Sequence, residues 1–379
     1  MMRHSPFLCS PSHIRARANT ELRELLDWND IHARFTTDTI VRVLGLMATR
    51  KASLHHIAQR FVWPVGETTL RAGIAGQLPD PGTLAAAFHR RFLALLPRVP
   101  TKGFVVAIDT HGSCYDGRRG TPGTVHGQRK NGTRRYFVSA TAVVVAKGLR
   151  YTLAVSAPES GRPMDALTPL LDQMAAAGIA VRKRLLDKGF FAAEVFHTLD
   201  RRRLNYVVAV PHRRRFKTAW DRNATHATVT ITSRAGAANR VTATVRLVCH
   251  RRTNRDGSFT RLVYADRGVR SSGDRGEEVR RVYRTRFGIE SSYRQLRQAK
   301  APTTSRDRSW RLLLIGIALL LRQLWVLLGQ AVSRAPRTGH AAETGLERLR
   351  QQLAAAQVEG LEEHQHLRLK PKHAAFFHL

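Results

Sequence analysis

Two short strand-like runs in this chain, the first of them apolar, each close on an aspartate, and their length favours strands over helices. FVVAID ends at Asp109, and AVRKRLLD ends at Asp187, which opens the segment DKGFF. Runs of four to eight apolar residues fit strands of a covered sheet. A third acid, Glu290, lies in YRTRFGIESSYRQLR, whose pattern is helical. Two carboxylates at strand ends and one on a helix can converge into a cage for hard divalent cations, which take oxygen ligands. Two such ions activate a water or a 3′-hydroxyl and stabilise the leaving oxygen of a phosphodiester. One aspartate at a strand end is more often a cap or turn residue. The order of the surrounding elements gives the three acids their weight.

That order is mixed α/β. After Pro97 and Pro100 come the strand of FVVAID and a Gly-rich basic loop over 112–135. Two strand patterns follow, YFVSATAVVVA and LRYTLAVSA, joined by a turn at Lys147-Gly148. Then come a helix (MDALTPLLDQMAAAGI), a strand (AVRKRLLD), a helix (AAEVFHTLDRRR) and a strand (LNYVVAVP). Residues 212–274 alternate and are rich in Thr and Val, which marks a β insertion. Helical character resumes at about Glu277. Residues 1–99 are helical in pattern and are expected to contact DNA, with TTLRAGI opening a recognition helix. The chain thus divides into a helical region 1–99, a core 100–332 and a basic tail 333–379 holding one helix.

The net charge is +35 and the pI about 11.6. So much positive charge repels itself unless a polyanion neutralises it, which makes nucleic acid the expected partner. The three cysteines are scattered with no CxxC pair, excluding a disulfide framework or zinc ribbon and fitting a reducing, cytoplasmic setting near the nucleoid. The apolar stretch at about 309–332 is interrupted by Arg322, so a buried core helix is expected and no membrane span.

On a helix, Tyr283, Arg286, Glu290 and Arg297 fall within an arc of about 60°, with Arg294 beside them. Such a face could hold a metal and grip phosphates around it. Lys188, next to Asp187, and Arg129 and Lys130 in the loop after Asp109 are further candidate DNA contacts. His111 and His126 have no metal-ligand spacing and stay unassigned.

Taken together, AIDTHGSCYDG, DKGFF and the series Tyr283, Arg286, Glu290, Arg297 resemble the DDE transposases of prokaryotic insertion sequences. The likeness is to the branch with a β insertion before the last acid and a Tyr-Arg-Glu-Lys signature. Arg297 stands where that family has Lys, which keeps the charge but alters its reach. The resemblance implies a ribonuclease-H-like core with a β insertion, preceded by the helical N-terminal domain. It implies that Asp109, Asp187 and Glu290 bind Mg²⁺ or Mn²⁺, two ions per site, and that Tyr283, Arg286 and Arg297 contact the DNA backbone. It implies cut-and-paste chemistry on terminal inverted repeats and target DNA, through a hairpin, by a homodimer. An aromatic of the insertion is expected to stack on a flipped base, with Trp220, Phe259 and Tyr264 as candidates. Two other readings stay open: a metal-dependent nuclease without strand transfer, and an inactive transposase-derived DNA-binding protein.

Overall fold

The computed structural model describes residues 11–32, 35–63, 65–96, 103–145, 150–211, 225–233, 240–270, 273–334 and 346–365. Among the described residues, the centre is one mixed sheet of nine strands. The strands are β1 (Phe104–Cys114), β2 (Thr124–Lys130), β3 (Thr133–Val144), β4 (Thr152–Ser156), β5 (Val181–Leu186), β6 (Tyr206–Ala209), β7 (His226–Thr232), β8 (Thr242–Thr253) and β9 (Phe259–Arg267). They lie in the order β2-β3-β1-β5-β6-β9-β8-β7, with β4 on another stretch of β3. β5 runs parallel to β1, and β6 to β5, each reached through a crossover helix, α6 (Pro163–Ala176) and α7 (Ala193–Arg201). β9 pairs antiparallel with β6, so the strands of the insertion prolong the central sheet instead of forming a separate body.

Alternation along β1 sorts its side chains to two faces. Val106 and Ile108 enter an apolar cluster with Leu167, Leu170 and Phe196 of α6 and α7. Ala107 faces the other way, into a second cluster with five N-terminal helices and the C-terminal ones. The N-terminal helices are α1 (Pro11–Arg23), α2 (Thr37–Arg50), α3 (Leu54–Ala58), α4 (Glu67–Ala75) and α5 (Pro81–Ala94). The run Pro79-Asp80-Pro81-Gly82 opens α5: Asp80 accepts the Gly82 and Thr83 N–H groups, and Pro81 takes the first helical position.

On the same face lie α8 (Arg275–Arg284), α9 (Phe287–Ala299) and α10 (Arg308–Arg334). By length and composition α10 could cross a membrane, yet 83% of its most apolar window is buried inside the protein. Arg322 is fully buried there and donates to Gln295 Oε1 at 3.0 Å. The helix of the tail, α11 (Leu346–Gln365), buries Leu353, Val358 and Leu361, and its Arg350 donates to the Thr49 carbonyl of α2.

Two sequence expectations are corrected. The segment 112–135 is not one loop: β1 continues to Cys114, and β2 pairs back onto β3. The helical stretch around Glu290 is two helices, because Thr285 and Arg286 form a tight turn with i+3 bonds to Val282 and Tyr283. Tyr283 therefore ends α8, while Glu290 opens α9. The Lys147-Gly148 turn and Trp220 lie outside the described residues.

Candidate active site

Asp109 does not end its strand; it stands where the parallel neighbour stops. The last paired rung between β1 and β5 is Ile108 with Leu186. Asp109 and Asp187 are thus each one residue past the same rung, on strands about 4.8 Å apart. Parity puts them on the side of Ala107 and Leu185, under α9. On β1's other side Asp109 keeps a partner, Thr141 of β3. This half-paired position fixes the backbone and frees the side chain.

Glu290 comes from the first turn of α9, and one guanidinium gathers all three acids. Arg286 Nη1 lies 3.0 Å from Asp109 Oδ2, while Nη2 lies 2.9 Å from Glu290 Oε1 and 3.8 Å from Asp187 Oδ1. The Arg286 side chain is only 8% exposed, so these pairs are poorly screened. Burial works against its charge, but the Tyr283 ring and the three acids outweigh burial and hold its pKa above the ordinary value. Asp109 is pushed up to about 6, by burial first and by Asp187's charge, against the pull of Arg286 and of the Thr110 N–H.

Beneath the acids the strand is tied to the helix. The buried Tyr293 hydroxyl donates to the Asp109 carbonyl at 2.8 Å and pairs with Thr141 Oγ1 at 2.8 Å. Its ring stacks on His111 at 5.0 Å. Burial, then the charges of Lys300, Arg297 and Lys130, lower His111 to about 4, which leaves it neutral. Two residues along the strand, Lys300 Nζ donates to Ser113 Oγ at 2.7 Å. Burial, Arg311 and Arg297 lower Lys300 to about 8. α9 therefore runs alongside β1 in the same direction, from the acids toward a cationic end.

The structure brings Asp109, Asp187, Glu290 and Arg286 together and places Arg297 and Lys130 near His111. Tyr283 is buried, its ring 4.9 Å from that of Tyr264 and 5.6 Å from the Arg286 guanidinium carbon, so it supports Arg286 from below. Lys188, Arg129 and Arg294 are exposed, and among the described residues no bond ties them to the acids. Of the aromatics of the insertion, Tyr264 is core, whereas Phe259 is 53% exposed beneath the Arg251 guanidinium. Sequence reasoning missed Lys300, Tyr293 and the exposed Phe287. Phe287 adjoins Arg286, and the tight turn that presents it has no local signal.

Three carboxylates drawn to one cation, one of them raised by burial and held down by that cation, form a donor set that fits a hard divalent ion. Among the described residues no three His, Cys, Asp or Glu side chains already close into a coordination cage; the acids are spread around the guanidinium.

A family model described as the transposase DDE domain matches residues 105–321, more than half of the chain and a span within which Asp109, Asp187 and Glu290 all lie. No curated protein sequence matches. Among solved structures, the cryo-EM structure of a piggyBac transposase synaptic complex with hairpin DNA superposes with a TM-score of 0.57 at 12% identity, covering 100% of this chain and 85% of that chain. At that identity the likeness speaks for the fold alone.

Proposed function

The chain belongs to the transposase DDE-domain family and is a DNA-cleaving enzyme of transposition, and we propose from that membership that it works by a metal-dependent cut-and-paste route. The observation that carries the reading is the convergence of Asp109, Asp187 and Glu290 on one guanidinium, from β1, β5 and α9. The core order β4-β3-β1-β5-β6, antiparallel then parallel with acids on β1 and β5, supports a ribonuclease-H-like core. The signature around Glu290, with the β insertion, supports the insertion-sequence branch.

In this reading Asp109, Asp187 and Glu290 hold Mg²⁺ or Mn²⁺. When bound, the ions supply the activation of water or 3′-hydroxyl and the stabilisation of the leaving oxygen. The protein's own part is positional. The Ile108–Leu186 rung sets the two aspartates, Tyr293 pins the Asp109 backbone, and the tight turn delivers Arg286 and Glu290 together. If bound cations took over the charge of the acids, Arg286 would be free to pair with a DNA phosphate, since a guanidinium takes phosphate in the same bidentate manner as carboxylate. Lys188, Arg294 and Arg297, with Arg129 and Lys130 on β2, line the approach as phosphate contacts. The N-terminal helices, with α4 as the reading helix, form the DNA-binding region, and a homodimer holds two inverted-repeat ends. The site of action is nucleoid DNA in the cytoplasm.

The test is a strand-transfer assay with labelled duplexes carrying the inverted repeats that flank the gene. Wild-type protein with Mg²⁺ yields joined product. Asp109→Asn, Asp187→Asn and Glu290→Gln each bind the duplex within a few-fold of wild type but lose cleavage by about a hundred- to a thousandfold, the cost expected when charge stabilisation at the reacting centre is removed. Cut but unjoined product from wild type would make it a nuclease; cleavage surviving in any acid variant would reject the assignment.

A further inference from the structure

Beyond the acids, β1 leads to a second charged feature. The strand ends at Cys114, and the chain turns through Tyr115 into a loop that carries Arg118 and Arg119. Facing this loop is the head of α10, with Arg306, Asp307 and Arg308. Together they line an open hollow of about 530 Å³.

Its charges do not cancel. Asp307, the acid among the lining residues, is engaged, its Oδ1 accepting the Ser309 and Trp310 N–H groups at 2.8 and 3.4 Å. The helix end is thereby capped by the protein's own carboxylate and is not itself the attraction. Arg308 is engaged as well, with Glu159 at 2.8 Å and the Ala157 carbonyl at 2.6 Å. Arg118, Arg119 and Arg306 are left exposed, and none has a carboxylate partner among the described residues. Three uncompensated guanidiniums around one hollow repel one another, and only an outside anion relieves them.

The loop is pinned in that pose. Thr121 is buried; its hydroxyl donates to the Arg118 carbonyl at 2.8 Å and accepts from Tyr115 Oη at 2.9 Å. Thr124 Oγ1 closes the turn onto the Thr121 carbonyl at 2.7 Å. Gly123, at φ +77°, lies so close to Arg308 that a Cβ would stand 2.6 Å from its Cδ. The arginines are thus presented by a fixed frame, which lowers the cost of ordering them on a ligand.

We propose that this hollow binds the phosphodiester backbone of duplex DNA at a point remote from the acids. The six residue steps from Asp109 to Tyr115, just past the end of β1, span about 20 Å, or roughly six base pairs of DNA. Lys300 and Arg297 lie along the way, so one cationic track joins the two ends. The placement of the duplex rests on the transposase reading; the site itself rests on the arginines.

The experiment measures binding of the full-length protein to a fluorescent 30-base-pair mixed-sequence duplex in EDTA, across a range of NaCl concentrations. The hollow variant is Arg118→Ala/Arg119→Ala/Arg306→Ala. The control is Arg182→Ala/Arg201→Ala/Arg203→Ala, three exposed arginines at the start of β5 and the end of α7, at the opposite end of β5 from Asp187. Each lost phosphate contact should reduce the slope of log affinity against log salt by about 0.9, so the hollow variant's slope is shallower by about two to three and its affinity at low salt falls more than about tenfold. The control stays within about twofold at the same low salt, as surface charges away from the DNA should. Matching circular dichroism and thermal midpoints confirm the fold of both. An unchanged slope in the hollow variant overturns the proposal, as does an equal loss in the control. No chemistry runs in EDTA, so a failure here leaves the acid assignment standing, and cleavage by an acid variant leaves this result standing.

Discussion

A guanidinium wedged among three carboxylates satisfies them only while nothing more positive competes for the oxygens. Arg286 meets that description, with its Nε buried and unbonded while both terminal nitrogens are engaged. Lys300 is the opposite case: a half-buried cation beside two guanidiniums. It was not visible in the sequence because no motif marks a lysine ten residues past Glu290, and its environment comes from β1 and α10. Its pKa of about 8 lies below the 10.5 of the free side chain. Between those values the unfolded chain binds a proton that the folded chain does not, so stability rises with pH across that window. Below about 8 the full cost is present. Lys300→Met removes this contribution. Its midpoint relative to wild type should be most favourable near pH 7 and should decline as pH rises toward 10. Thermal melts of both proteins from pH 7 to 10 check this; a difference that does not change with pH would show that Lys300 is not held against its charge.

Packing between elements is close where α10 crosses α5. Gly316 has no side chain because Phe88 fills its place: a Cβ there would lie 2.1 Å from Phe88 Cζ. Both are buried and cannot separate without shifting a helix. Gly316→Ala gains helix propensity but overpacks the crossing, and the net loss should be about 1–3 kcal/mol, read as a lower urea midpoint with m unchanged. Unchanged or raised stability would mean the helices part more easily than this contact implies. Such contacts also explain what the sequence could and could not tell. FVVAID and VRKRLL were legible because local chemistry decides them. β2 was not, since TVHGQRK is exposed and polar and gains its strand form from β3 alone. The break at Thr285 was hidden for a related reason. No proline or preceding glycine marks it, and the turn is held by Arg286 reaching Asp109, 177 positions away.

Across the molecule, 63 lysines and arginines meet 28 aspartates and glutamates. Many acids are already taken: Asp109, Asp187 and Glu290 by Arg286, Asp266 by Arg246 and Arg275, and Glu278 by Arg281. The surplus cations therefore face one another, and the apolar clusters on both faces of the sheet must hold the fold against that repulsion. Added salt shortens the range of the repulsion from about 10 Å at 0.1 M to about 3 Å at 1 M, and surface ion pairs, worth little to begin with, lose less than the like charges gain. The thermal midpoint of the free protein should therefore climb as NaCl goes from 0.1 to 1 M. Duplex DNA should raise it at low salt and progressively less at high salt, because salt weakens the phosphate contacts through which DNA stabilises the folded state. Scanning fluorimetry over a grid of salt and DNA concentrations separates the two effects. A midpoint that falls with salt in the absence of DNA would mean that the ion pairs, not the surplus charge, dominate the electrostatics of the fold.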